Sequence, residues 1–182
     1  HLRNEGKFFY SAENRELDLK LIDYDDFSNN VYHITEEFYW HNGRFGNRED
    51  VVLLINGIPV FVIECKNANK DEGVAIGIDQ MRRYHNETPE FFIPEMVFAA
   101  TDAMGLSYGA TWNTVRRNIF AWKHEQVGQL EAKIKTFIEI DQLLATLKDY
   151  ILFSEQDEEL RKFILKQHQT AAVSKAVERA LD

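Results

Sequence analysis

Arg48-Glu-Asp-Val-Val-Leu-Leu-Ile-Asn-Gly-Ile-Pro-Val-Phe-Val-Ile-Glu-Cys-Lys66 is the stretch from which the rest of the chain is read. Two apolar runs flank Asn56-Gly57, a pair that favours a β-hairpin turn because both residues tolerate positive φ. Asp50 opens the first arm; Glu64 and Lys66 close the second. Side chains alternate along a strand, so the loop length decides whether the two acids meet. A loop of Asn56-Gly57 alone sets Asp50 opposite Ile63, pointing away from Glu64. A longer loop, Ile55-Asn56-Gly57, with Gly57 at the positive-φ position, sets Asp50 opposite Val62, on the face of Glu64 and Lys66. The longer loop is therefore expected. On that register Val52, Leu54, Ile58, Val60 and Val62 share the acidic face, and Val51, Leu53, Phe61, Ile63 and Cys65 share the other. Both faces are apolar, so both are covered, as in a layered α/β sheet.

An acid at the start of one strand and Glu-x-Lys at the end of the next can hold a divalent metal beside a cation, a nuclease-like arrangement. Carboxylates beside a lysine are more often a salt bridge at a sheet edge, and a short motif does not separate the two readings. Two features favour the first. So apolar a strand does not end in three ionisable side chains without partners. A second element also follows: Gln80-Met-Arg-Arg-Tyr84 puts Gln80 and Tyr84 on one helix face, able to hold a phosphate or a water at the site. A half-buried tyrosine with a satisfied hydroxyl is the plainer account of that pair. Lys66, Lys70, Arg82 and Arg83 form the best candidate patch for phosphates. Arg116 and Arg117 form a second one, with a solvated surface as its alternative.

Other chemistries find less support. His41-Asn42 and His85-Asn86 faintly resemble a His-Asn-His nuclease, but no third histidine has helpful spacing. Asp18, Asp23, Asp25 and Asp26 lack the spacing of a calcium loop. Gly105-x-x-x-Gly109 is not followed by Gly-Lys-Ser/Thr, so it is no phosphate loop. The 182 residues, 45% apolar with 13 Phe and 7 Tyr, suffice for one domain with a core and some helical addition. A single cysteine excludes an internal disulfide and a thiolate zinc site, and Cys65 is expected as a packed thiol. No stretch has the length of a membrane span and no secretory signal is visible, so the cytoplasm is the expected compartment. The net charge of −9 argues against a protein that simply coats nucleic acid, whose affinity rests on neutralising phosphates. The sequence opens on His1, and a piece of a longer protein is expected.

Along the chain, residues 7–10 read as a short strand, 15–27 as solvated strand and loop, and 31–40 as an aromatic and β-branched strand. A helix is expected over 72–86, closed by Pro89 and weakened by Gly73 and Gly77. Strands follow at 95–101, 106–112 and 118–123, and the strand–helix–strand order predicts a parallel pairing in a mixed sheet. Asp141 is the expected N-cap of a helix through Leu143, Leu144, Leu147 and Ile151. A second helical stretch is expected over 157–181, with a possible break at 167–170. The division expected is a nuclease-type domain over 1–130 and a helical linker over 131–182.

At this point the residues resemble a known family. Asp50, the Asn56-Gly-Ile-Pro59 turn, and Glu64-Cys-Lys66-Asn67 are similar to the nuclease core of the R (HsdR) subunit of type I restriction enzymes, within the PD-(D/E)xK superfamily. Gln80-Met-Arg-Arg-Tyr84 looks like its Gln-x-x-x-Tyr motif. Trp122-Lys123, Leu143-Leu144, Tyr150-Ile-Leu-Phe153 and Gln167-His-Gln169 look like later landmarks, so the likeness covers nearly the whole chain. It implies an α/β fold with a mixed central sheet flanked by helices and a C-terminal helical extension. It implies Asp50 and Glu64 as ligands of a catalytic Mg²⁺, with the Cys65 backbone carbonyl, and Lys66 as the group that positions the attacking water or stabilises charge on the phosphate. Gln80 and Tyr84 would support the site and touch DNA.

The same likeness implies double-stranded DNA as substrate, methylation (M) and specificity (S) subunits as partners, and ATP used only by motor domains beyond the region around Gln169. The family often has Leu where Cys65 stands. It also has an upstream helix with an acidic residue, which would end about where this chain begins. Weak metal binding is therefore expected of the fragment. Two other readings stand beside this one: another PD-(D/E)xK enzyme of repair or recombination, and a non-catalytic docking module of a DNA translocase.

Overall fold

The computed structural model describes every residue except 1, 4–5, 68–71, 103, 124–128, 157–158 and 182. A small hairpin, β1 (Lys7–Tyr10) and β2 (Arg15–Asp18), precedes the main sheet. That sheet has six strands side by side in chain order: β3 (Tyr32–His41), β4 (Gly46–Ile55), β5 (Ile58–Lys66), β6 (Val97–Asp102), β7 (Leu106–Ala110) and β8 (Phe120–Ala121). Each neighbour is antiparallel except β5 and β6, which run parallel and are joined through helix α1 (Gly73–Glu87). This is the expected mixed sheet, because antiparallel neighbours need only a turn whereas a parallel pair needs a crossover.

Two apolar layers sandwich the sheet. Leu53, Ile55, Val60, Phe61 and Ile63 face one cluster, completed by Phe137 of α2 (Leu130–Phe137) and Leu143 and Leu144 of α3 (Ile140–Ala145). Val52, Val62 and Phe98 face the other, completed by Met81 and Tyr84 of α1 and by Phe91 and Phe92. Burying both faces is what the unbroken apolar runs of β4 and β5 require.

The central hairpin differs from expectation in how it aligns its acids. Its loop is the two-residue Asn56-Gly57, with φ of 53° and 80°, the positive pair whose twist matches the flanking strands. Asn56 also fixes the turn from outside. Its Oδ1 accepts from Val31 N at 2.8 Å, and its Nδ2 donates to Leu21 O at 2.8 Å. Parity is restored further along. Leu54 pairs with Pro59 but Leu53 with Phe61, so Val60 is an extra residue in β5. Pro59 has no N–H to give the ladder, which makes this a natural place for a β-bulge. Beyond it Val51 pairs with Ile63, and the register runs on to bring Asp50 level with Glu64. The bulge also moves Ile58 and Val60 off the expected acidic face; both join the cluster of Phe61. Cys65, expected to pack inward, is exposed because the strand end runs past the elements that cover that face.

The last third is less helical than its spacing predicted. α3 has Glu139, not Asp141, at its N-cap position and ends in a π-helical turn, Thr146–Tyr150. Ile151 then begins a hairpin of β9 (Ile151–Gln156) and β10 (Glu159–Ile164), and helix α4 spans only Gln167–Leu181. Leu160, Phe163 and Ile164 fit a helix period, but the segment buries Lys162, fully shielded from solvent, on the same strand as the buried Ile164. Its Nζ donates to Glu95 O at 2.6 Å, Thr111 Oγ1 at 2.8 Å and Phe92 O at 3.3 Å. It also lies 3.7 Å from the centre of the Trp112 ring. Burial lowers its pKa to about 7, against the pull of Glu95. Such an anchor needs an extended arm reaching into the sheet's flank, and it overrides the helical spacing. No helix among the described residues is long and apolar enough to cross a membrane.

Candidate active site

β5 is an interior strand, flanked by β4 and β6, so Glu64 and Lys66 at its C-terminal end do not lie on a sheet edge. Asp50 reaches across from β4, where its Oδ2 accepts from Cys65 N at 2.8 Å. The ladder bond at this point is thereby replaced by a side chain, and the Asp50 carboxylate lies against that of Glu64. Glu64 is fully buried, and Lys66 Nζ forms a short ion pair with its Oε1. Burial pushes the Glu64 carboxyl up to about 7; Lys66 opposes the rise and Asp50 adds to it. The three groups singled out in the sequence therefore converge.

Helix α1 braces Lys66. Lys66 Nζ donates to Gln80 Oε1 at 2.9 Å, Gln80 Nε2 donates to the Tyr84 hydroxyl at 2.9 Å, and that hydroxyl donates to Arg48 O at 3.3 Å. The chain of bonds ties the lysine on β5 to the backbone of β4, two residues before Asp50. Tyr84 has a satisfied hydroxyl, as the plainer account of the motif foresaw, and the bond that satisfies it belongs to the site. The helix comes close enough because its contact positions are glycines. A Cβ on Gly77 would lie 3.0 Å from Ala100 Cβ and 3.5 Å from Glu64 Cγ, and one on Gly73 would lie 2.9 Å from Asp102 Cβ. The glycines that weaken the helix in isolation are what let it dock here.

The cations of the candidate phosphate patch divide. Arg82 is engaged: Nε and Nη2 donate to Thr114 O at 2.9 and 2.8 Å, and Nη1 pairs with Asp79 at 2.6 Å. Arg83 lies over the Tyr84 ring at 5.1 Å and meets Glu87 only at 3.8 Å, so its guanidinium is free to take another anion. Arg116 lines, with Arg82 and Asp79, an open groove of about 610 Å³ beside α1. Lys70 lies outside the described residues.

Sequence reasoning missed an acidic interior behind Glu64. Glu49 is fully buried, with Oε1 accepting from Asn47 Nδ2 at 2.8 Å. Burial first, then the charges of Glu64 and Asp50, push its carboxyl up to about 8. Glu95 is also fully buried, and burial together with the charge of Glu49 raises its carboxyl well above the ordinary range. Asn47 Oδ1, Glu49 Oε2, Glu64 Oε2 and both Glu95 carboxyl oxygens meet no donor among the described residues. Glu49 stands beside Asp50 in the sequence, but its burial depends on residues distant in the chain and no local pattern marked it. His85 is half-buried, which lowers its pKa to about 4, and it stacks on Phe92 at 3.9 Å.

Among the described residues no three His, Cys, Asp or Glu side chains gather into a metal cage. The site offers instead two adjoining carboxylates and a peptide fixed at Cys65. Hard divalent cations take oxygen ligands of this kind, and an unpartnered buried oxygen on Glu64 fits one.

Sequence comparisons show which proteins the chain is similar to. The family described as type I restriction enzyme R protein N terminus matches residues 1–117. A relative from Methanocaldococcus jannaschii, named for a type I restriction enzyme endonuclease subunit (MjaVIIP), is 31% identical over 88% of this chain and 16% of its own length. A second from that organism, the MjaVIIIP endonuclease subunit, is 30% identical over 88% of the chain and 16% of its length. The type I restriction enzyme SauCOLORF180P endonuclease subunit of Staphylococcus aureus is 24% identical over 92% of the chain and 18% of its length. The chain spans less than a fifth of the length of these relatives.

Proposed function

The chain belongs to the family of type I restriction enzyme R protein N termini, and on that premise we propose that it is the nuclease domain of such a subunit, hydrolysing phosphodiester bonds of double-stranded DNA with Mg²⁺. The observation that carries this reading is the meeting of Asp50 and Glu64 beside Lys66, with the lysine held by Gln80. Asp50, Glu64 and the Cys65 carbonyl are the groups that would hold the metal. When bound, Mg²⁺ supplies an acidified water and neutralises charge on the phosphate.

The chain's own residues do the rest. An ammonium has three donors. Among the described residues Lys66 gives one to Glu64 and one to Gln80, and the third would serve the attacking water or a phosphate oxygen. The Gln80–Tyr84 brace fixes the direction of that donor before substrate arrives, as preorganised stabilisation of developing charge requires. ATP-driven translocation and the methylation and specificity subunits belong to the assembly proposed around this domain, with the DNA delivered by the motor.

Titration calorimetry with Mn²⁺ or Mg²⁺ on the chain tests the reading. Binding is expected for the wild type and should weaken at least about tenfold, ~1.4 kcal/mol, in Asp50→Asn. Equal binding by the variant refutes the assignment.

A further inference from the structure

We propose that the β3–β4 ribbon is a DNA-backbone arm, in which Arg48 and Arg44 hold phosphates flanking the scissile one and Arg83 closes from α1. The proposal rests on the nuclease reading and goes beyond it, since no motif assigns a role to the ribbon. The stretch from His41 to Arg48, His-Asn-Gly-Arg-Phe-Gly-Asn-Arg, holds two arginines and no acid, in a chain of net charge −9. It leads directly into the Asp50 end of the active centre. β3 and β4 remain paired out to His41 and Gly46, whereas β5 stops at Lys66, so the ribbon projects beyond the end of the strand that bears Glu64.

The arm is held in place. Asn42 Nδ2 donates to Glu87 O at 2.9 Å, which fastens the tip to the end of α1. Asn42 Oδ1 accepts from Arg44 N and Phe45 N at 3.1 and 2.9 Å, which shapes the turn. Its arginines, by contrast, are loosely engaged. Arg48 meets Glu37 at 3.5 Å with both side chains well exposed, and Arg44 lies over the Phe45 ring at 4.9 Å. Exposed pairs of this sort are weak, and a phosphate offers a guanidinium two oxygens at once. Arg48 and Arg83 are linked through one tyrosine: the Tyr84 hydroxyl bonds the Arg48 backbone carbonyl, which fixes this part of the ribbon to α1, and the Arg83 guanidinium covers the ring. Two residues along a strand separate Arg48 from Asp50 by about 6.8 Å. That lies within reach of neighbouring phosphates on a strand whose charges recur every ~3.4 Å of helix axis. The occupant that fits a short basic arm beside a phosphodiester site is the sugar-phosphate backbone of duplex DNA, gripped without regard to sequence.

The test is the salt dependence of duplex binding by this chain, read by fluorescence anisotropy in EDTA so that nothing is cut. Arg44→Gln and Arg48→Gln should each lower the slope of log affinity against log salt by about 0.9, and the double variant by about 1.8. The loss should be the same on unrelated sequences. Arg179→Gln, at the far end of α4, should match the wild type. The arm is overturned if the double variant keeps the wild-type slope, if Arg179→Gln loses as much, or if the wild type binds no duplex at low salt. The first two outcomes leave the nuclease reading standing, because that reading is judged by Asp50, Glu64 and Lys66.

Discussion

Glu49→Gln should make the metal-free protein more stable, and increasingly so as pH rises. Glu49 is fully buried, its carboxyl is pushed up to about 8, and one of its oxygens has no donor. A carboxyl that holds its proton more tightly folded than unfolded stabilises the fold most below the unfolded pKa, here 4.5. That stability is lost as pH climbs toward about 8, where the folded chain must ionise the group against burial and against Glu64 and Asp50. The interval between those two values, at ~1.4 kcal/mol per unit, sets an upper bound near 5 kcal/mol. Glutamine cannot ionise, keeps the Asn47 bond through its own Oε1, and puts an N–H among unpartnered acceptors. Urea denaturation in EDTA should therefore show the two proteins within ~1 kcal/mol at about pH 5 and the variant ahead by ~2–5 kcal/mol above about pH 8. A gap that stays constant across this range refutes the claim that Glu49 is a buried acid held neutral.

Three further substitutions probe the fit of the surrounding elements. Gly77→Ala gains ~1 kcal/mol of helix propensity, but its Cβ would stand 3.0 Å from Ala100 Cβ. Overpacking of that kind costs ~1–3 kcal/mol, so thermal denaturation should show a lowered midpoint; a raised one contradicts the close docking of α1. Lys162→Met strips Glu95 O and Phe92 O of their lysine donor and should cost ~2–4 kcal/mol with a shift in Trp112 emission; unchanged stability would contradict the anchor. Tyr84→Phe removes the bond to Arg48 O and the acceptor for Gln80, and should cost ~1 kcal/mol by denaturation; no loss would contradict the brace.

The sheet was legible because alternation and turn chemistry are local. Asn56-Gly57 announced the hairpin, and the run from Gly73 to Pro89 between two apolar strands announced a crossover. What alternation could not supply was the bulge. Counting residues from Gly57 put Asp50 on the acidic face for the wrong reason, since the extra residue sits at Val60, beside a proline whose missing N–H permits it. The convergence of Asp50, Glu64 and Lys66 was legible because strand ends are fixed by pairing. Glu49, Asn47 and Glu95 were not, because their burial depends on α1 and the Phe91–Glu95 segment folding over them. Lys162 misled in the same way: a lysine between Leu160 and Ile164 reads as the polar face of a helix, and only Trp112, Glu95 and Thr111, all distant in sequence, make an interior home for it.

The most direct measurement is made in the restriction complex proposed around this domain, with Asp50→Asn, Glu64→Gln or Lys66→Met introduced singly into the subunit that carries it. Cleavage of plasmid DNA and release of phosphate from ATP are followed side by side. Each variant is predicted to lose cleavage while hydrolysing ATP at the unaltered rate. Plasmid still cut by any one of the three would contradict the assignment of this centre.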